Sequence, residues 1–215
     1  MTSYQIAESA SFIISLVCYD KLRHTPYKWF PWFLGITVLV EFYGPYYTRR
    51  YHASNVWLYN IFTPLEIIFY AWIFHSIYRG RIVRKLSLGF IPAYIIAVTI
   101  NEAFIQGFGT FHSYTMLVGD FFVVLFSCCY FYELLKSNTQ QSFLSITAFW
   151  IVTGLFFFYL GNIFYDLYWD YLLQNNLDNR RKIFNLINNN LILLLYACFS
   201  IGFICSKKAP LASVS

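Results

Sequence analysis

Long apolar blocks make up most of this chain, and short polar segments separate them. Each block has close to the roughly 20 residues that a helix needs to cross about 30 Å of hydrocarbon at 1.5 Å per residue. The pattern therefore predicts seven transmembrane helices. We place them over residues 4–19, 29–47, 56–78, 86–105, 114–135, 146–168 and 183–205.

Composition supports this interpretation. Of the 215 residues, 59% are hydrophobic and 12% are charged, whereas a water-soluble domain is about one quarter charged. The longest connection, around residues 170–182, leaves no room for a domain in water. We therefore predict one all-α integral membrane domain over residues 1–215, a seven-helix bundle without a soluble domain. The first block lacks the basic start and the cleavage site of a signal peptide, so we keep it as a mature span.

The distribution of Lys and Arg predicts the orientation, because basic residues are retained on the cytoplasmic side. With the N-terminus outside and the C-terminus inside, most basic residues of the short loops fall on the inner side. The loop before the last span, with Arg180, Arg181 and Lys182, departs from the rule. We expect a multi-pass protein of the plasma membrane, or of the inner membrane if the source is bacterial. Because the basic residues are scattered at span ends, they predict contact with the lipid bilayer and no nucleic-acid partner.

Short matches between spans 1–3 and spans 5–7 indicate a 3+1+3 parallel repeat. Cys-Tyr at 18–19 recurs at 129–130. Tyr-Ala at 70–71 recurs at 196–197. The layout resembles that of the sugar-porter and PQ-loop class and of microbial rhodopsins. No Pro-Gln pair occurs, however, and no lysine lies within the last span to carry retinal, so we assign no family.

Acidic side chains inside the predicted spans point to a functional site, because a charge at the bilayer centre costs at least about 2.5 to 3.5 kcal/mol. Glu66 lies deepest, about 15 Å from the outer boundary. Pro64, which has no N–H, loosens the helix beside it. The other acids and most asparagines share the outer half of the spans, so we predict an outward-facing polar cavity with Glu66 at its floor. Its predicted lining residues are Glu66, Tyr59, Thr63, Glu41, Glu102, Asp120, Asn162, Asp166, Asn185 and Asn189.

Two other interpretations of these polar residues stay open. Asparagines and acids also bind helices to one another through hydrogen bonds, and Glu8 and Asp166 are placed to reach the headgroups. His112 together with the acids offers ligands for a divalent ion. No metal-binding motif such as His-Glu-x-x-His is present, so we predict neither a metal nor a cofactor.

Three functions fit the pattern. We favour binding or transport of a small, cationic solute or of protons around Glu66. The first alternative is a non-catalytic sensor or subunit that acts through a membrane partner protein. The second is an intramembrane lipid hydrolase that uses paired carboxylates or a metal, built on Glu102, Asp120, Asp166 and His112. An enzyme is not the favoured interpretation.

Overall fold

The computed structural model describes residues 2–137, 142–174 and 182–206. These ranges are helical and contain no strand. Seven long helices run up and down the bundle, and one short helix lies after the first. They are α1 (Ser3–Val17), α2 (Tyr19–Leu22), α3 (Phe30–Tyr51), α4 (Val56–Ile77), α5 (Arg81–Ile100), α6 (Ser113–Lys136), α7 (Thr147–Gln174) and α8 (Lys182–Cys205). A π-helical turn (Asn101–Ile105) extends α5, and 3-10 turns (Pro26–Trp29 and Phe143–Ser145) precede α3 and α7.

Each predicted span coincides with one long helix. Among the described residues, five helices are long and apolar enough to cross a membrane. Their bounds are Val56–Ile77, Arg81–Ile105, Ser113–Lys136, Thr147–Tyr165 and Asn185–Cys205. These five helices identify the chain as a multi-pass membrane protein. The crossing of α1 and α3, and with it the count of seven and the orientation, stays a prediction.

The first helix turns its polar side chains inward and its apolar side chains outward. Its buried residues are Gln5, Glu8, Ser11 and Ser15. Ile6, Ile13 and Val17 are largely exposed. A helix at the surface of a water-soluble protein has the opposite arrangement. Lipid accepts isoleucine and rejects a carboxyl group, so this arrangement supports the predicted placement of α1 in the bilayer.

The long helices form one bundle in which α1, α8, α7, α6 and α4 pack side by side in that order. Helix α3 lies against α1, and α5 lies against α4 and α6. We call the end where α1 begins the amino end and the end where α8 finishes the carboxyl end. In the predicted repeat, α1, α3 and α4 correspond to α6, α7 and α8. The contact between α1 and α8 then corresponds to that between α6 and α4, and the contact between α1 and α3 to that between α6 and α7. A parallel repeat requires such pairs, and the repeat itself stays a prediction.

Two interfaces that the predicted repeat relates to each other are built differently. Between α7 and α8 the backbones are close, because a Cβ atom at Gly154 would lie 2.9 Å from Cys198 Cβ and 3.2 Å from the Leu195 carbonyl oxygen. Between α3 and α4, aromatic rings separate the helices: Phe33 stacks on Phe69 with 4.1 Å between ring centroids. The α7–α8 interface is therefore tight, and α3 and α4 are held apart by side chains.

Aromatic rings also fill the bundle between its middle and its carboxyl end. Phe30 is fully buried, and its ring centroid lies 5.3 Å from those of Phe199 and Phe203 and 5.1 Å from that of Phe69. With Phe33, these side chains form what we call the aromatic layer. The layer contributes to stability through edge-to-face contacts and separates the two ends of the bundle.

At the amino end, Asn60 of α4 holds the loop between the π-helical turn and α6. Its Nδ2 donates to the carbonyl oxygens of Phe108 (3.3 Å) and Thr110 (2.8 Å). Its Oδ1 accepts from the backbone N–H of His112 (3.2 Å). This asparagine thus satisfies three backbone groups that helices leave unpaired, which is a structural role.

Gly154→Ala should lower the free energy of unfolding by about 1 to 3 kcal/mol, because the added methyl group must push α8 away from α7. Unfolding of the purified protein in detergent measures the effect. The matched control is Gly89→Ala on α5, where a Cβ atom would meet nothing within 4 Å. Equal behaviour of the two variants would contradict tight packing between α7 and α8.

Asn60→Leu should release the loop at residues 106–112, because three backbone groups lose their hydrogen bonds, each worth about 0.5 to 1.5 kcal/mol. Hydrogen exchange followed by mass spectrometry should show faster exchange in this loop than in the wild type. Asn190→Leu is the control, since the exposed Asn190 side chain donates to Leu186 of its own helix, at 2.7 Å, and to no other described residue. Unchanged exchange in the Asn60 variant would show that the loop does not depend on this side chain.

Candidate functional site

Three glutamates from three helices converge in the half of the bundle nearer the amino end. Glu8 of α1, Glu41 of α3 and Glu66 of α4 act on one another electrostatically. Glu8 is only 3% exposed, and the other two are half-buried. We call these three residues the glutamate cluster. It lies where α1 covers the interface between α3 and α4.

Tyrosine hydroxyl groups surround the glutamate cluster. Tyr70 donates to Glu66 Oε1 at 3.0 Å, and Tyr59 donates to the Glu41 carboxylate. Gly44 makes the second contact feasible, since a Cβ atom at this position would lie 3.0 Å from the Tyr59 hydroxyl oxygen. The cluster is thus held by hydrogen-bond donors that carry no formal charge.

Three buried tyrosines lie beneath the glutamate cluster at one level. We measure depth along each helix from the amino end of the bundle. On this measure Tyr70, Tyr159 and Tyr196 all lie about 14 residues, or about 20 Å, deep. The rings of Tyr70 and Tyr159 have centroids 5.9 Å apart. Below them begins the aromatic layer. The floor of the polar region is therefore formed by tyrosines, one turn deeper than the floor predicted at Glu66.

Two buried polar atoms of α1 have no hydrogen-bond partner among the described residues. They are Oε2 of Glu8 and Oγ of Ser11, one turn further along the same face. The hydroxyl of Tyr159, which also acts on Glu66, is a third. A buried polar atom without a partner costs free energy, so these atoms are suited to hydrogen-bond a bound species.

No basic side chain of the described residues acts on the glutamate cluster. The ion pair that the described part of the chain contains joins Arg23 to Asp20 at 3.8 Å, far from the cluster and exposed. Gln5 of α1 donates to the Glu41 backbone carbonyl at 3.2 Å and fixes α1 against α3 without adding charge. The cluster therefore has no positive charge beside it among the described residues.

The structure brings several of the residues predicted from the sequence to this region. Glu41, Tyr59 and Glu66 belong to it directly. Thr63 is half-buried one turn before Glu66 on α4. Helix α4 continues through Pro64 without interruption, so the predicted loosening does not break the helix.

Other predicted lining residues lie further away. Asp120 of α6 is 1% exposed and acts on Tyr94 and Tyr159, so it is a neighbour of the cluster across Tyr159. Asn162 and Asn189 are half-buried on α7 and α8.

Two further predicted residues lie in other surroundings. Glu102 is half-buried in the π-helical turn, and Asn185 is exposed on α8. The side chain of Asp166 lies outside the described residues.

Sequence reasoning missed the contribution of α1. The sequence left open that Glu8 reaches the headgroups, whereas it lies buried among the acids, and Gln5 and Ser11 were not considered. A signal was present: the polar residues at 5, 8, 11 and 15 recur at the spacing of one helical face. This spacing predicts a polar stripe, which in a membrane helix must face protein.

The described residues contain no group of three or more His, Cys, Asp and Glu side chains placed to hold a metal ion. His112, which the sequence offered as a ligand beside the acids, is instead buried within its own loop. Its Nε2 lies 3.1 Å from the Gly107 carbonyl oxygen. The geometry therefore separates His112 from the glutamate cluster.

No protein-family model matches the chain, and neither a curated protein nor a solved structure shows significant similarity to it.

Proposed function

We propose that this protein binds protons or a small organic cation at the glutamate cluster and transports them. The observation that carries the proposal is the convergence of Glu8, Glu41 and Glu66 without a described basic partner. A site of one charge sign inside a membrane protein selects the opposite sign.

Electrostatics favour protons or an organic cation as the bound species. Three carboxylates close together repel one another, and each charge in hydrocarbon costs at least about 2.5 to 3.5 kcal/mol. Protons or a cation remove this cost. Tyr59, Tyr70 and Tyr196 add hydroxyl groups and ring faces, and ring faces attract organic ammonium groups. A metal ion is less well supported, since the described carboxyls do not form a metal-ligand group.

The packing around the cluster suits a site that opens and closes. Glu41 and Glu66 lie on α3 and α4, whose contact is made by aromatic side chains such as Phe33 and Phe69. Such rings can change rotamer without unravelling a helix, whereas the close backbone contact of α7 and α8 cannot slide freely. The aromatic layer lies between the cluster and the carboxyl end. In the predicted orientation, the cluster would accept its ligand from outside, and rearrangement of the layer would release it inward.

Glu66→Gln should reduce proton flux about tenfold or more, because the carboxyl held by Tyr70 can no longer exchange a proton. The measurement uses the purified chain in liposomes with an enclosed pH-sensitive dye and a potassium diffusion potential. Binding of tetramethylammonium to the same protein is followed by calorimetry. Glu8→Gln and Glu41→Gln should show losses in the same direction.

Glu102→Gln is the matched control, since Glu102 is an acid in the same half of the bundle, nearer the amino end, but lies outside the cluster. It should keep wild-type flux and binding. All variants are checked for an unchanged unfolding temperature before flux is compared. Wild-type flux and tetramethylammonium binding in a folded Glu66→Gln variant would refute the proposal, as would equal losses in the Glu102 variant.

A further inference from the structure

A second polar region lies at the carboxyl end of the bundle, separated from the glutamate cluster by the aromatic layer. It is a cavity of about 240 Å³ between the 3-10 turn before α3, the ends of α4 and α6, and the start of α7. Tyr27, Arg79, Tyr130 and Glu133 provide polar groups, and Leu134 contributes to its apolar wall. The proposed transport function does not use this cavity.

Two buried tyrosines line the cavity with free hydroxyl groups. Tyr27 is 8% exposed and Tyr130 is 7% exposed, and neither hydroxyl makes a hydrogen bond to the described residues. The two side chains act on each other electrostatically, and Tyr130 also acts on Arg79 and Glu133. Both residues line the cavity, and their hydroxyl groups are not among the fully buried unpaired atoms, so they face its open space and are placed to donate to a ligand that accepts hydrogen bonds.

The negative charge of Glu133 is already engaged by backbone donors. Its two carboxylate oxygens accept from the N–H groups of Arg79 and Gly80, each at 3.1 Å, and so cap the start of α5. The guanidinium group of Arg79 has no ion-pair partner among the described residues. The cavity therefore presents one cation, two hydroxyl donors and a carboxylate whose oxygens are already held by backbone N–H groups.

The surroundings of the cavity combine positive charge with exposed apolar surface. Arg79 is itself exposed, and the other exposed basic residues on the elements around the cavity are Lys28, Arg81, Arg84, Lys85 and Lys136. Ile82 and Leu135 are exposed on the neighbouring helices α5 and α6. Basic side chains beside apolar helix surfaces are typical of the level of the lipid headgroups, where anionic lipids are attracted.

We infer that this cavity binds the phosphate group of an anionic lipid. Arg79 contacts the phosphate through its planar fork, and the hydroxyls of Tyr27 and Tyr130 donate to the remaining oxygens. The cavity is smaller than the about 300 to 1,000 Å³ of sites for drug-sized ligands, so it takes a headgroup and leaves the acyl chains on the apolar helix surfaces.

The test uses the purified full-length chain in a neutral detergent, titrated separately with dioleoyl phosphatidylglycerol, dioleoyl phosphatidylcholine and inorganic phosphate. Unfolding temperature and native mass spectrometry report binding. We expect a saturable rise in unfolding temperature and a retained lipid with phosphatidylglycerol, and a much weaker effect with phosphatidylcholine. Arg79→Gln should weaken the apparent affinity about tenfold, the loss of a charge-assisted hydrogen bond.

The matched control is Arg81→Gln, which removes the same charge two residues away at an exposed position that does not line the cavity. Equal losses in Arg79→Gln and Arg81→Gln would overturn the inference, since they would show attraction to the basic surface alone. The double variant Tyr27→Phe and Tyr130→Phe removes two oxygen atoms and no charge, so it tests the cavity if Arg79→Gln does not fold. Unchanged affinity in the double variant would also overturn the inference. A saturable response to inorganic phosphate alone would support the phosphate site and identify free phosphate as its source.

Discussion

The packing of the polar face of α1 against α3 and α8 is the interaction on which the candidate site depends. In hydrocarbon every polar group must find its partner within the protein. Helix α1 meets this requirement by burying Gln5, Glu8, Ser11 and Ser15 while it exposes isoleucine and valine. The same packing covers the interface between α3 and α4 and brings Glu8 to Glu41 and Glu66.

The helices could be predicted from the sequence because the thickness of hydrocarbon sets the length of an apolar block. The ends of the helices could not be predicted in the same way. Helix α5 begins at Arg81, five residues before its predicted span, because the basic residues at its start continue the helix beyond the apolar region. Helix α3 continues past Pro45 to Tyr51 for the same reason. Hydropathy marks the part of a helix that contacts lipid, and hydrogen bonds decide where the helix ends.

The sequence could predict how deep in the bundle the residues of the candidate site lie, but not which of them lie on an inward-facing side of their helix. The structure places Glu41, Tyr59 and Glu66 in one region, and their distances along the helices already give them similar depths, but their role as a site stays a prediction. Glu102 and Asn185 have suitable depths too, yet the π-helical turn and the exposed face of α8 keep them out of the cluster. Which face of a helix looks inward is decided by its neighbours. Depth alone could not decide between headgroup contact and burial for Glu8, and its neighbours bury it.

The two halves of the bundle differ in a way that gives the predicted repeat a functional meaning. The buried positions 8, 11 and 15 of α1 have the same spacing as 120, 123 and 127 of α6, although this register differs by one residue from the Cys-Tyr match. At the offset of the Tyr-Ala match, Glu66 falls opposite Ile192. The first half thus has carboxyl groups on both sides of the α3–α4 interface, where side chains hold the helices apart. The second half contains the tightly packed helices α7 and α8. A repeat with this division would confine movement to α3 and α4 while α7 and α8 hold the bundle together.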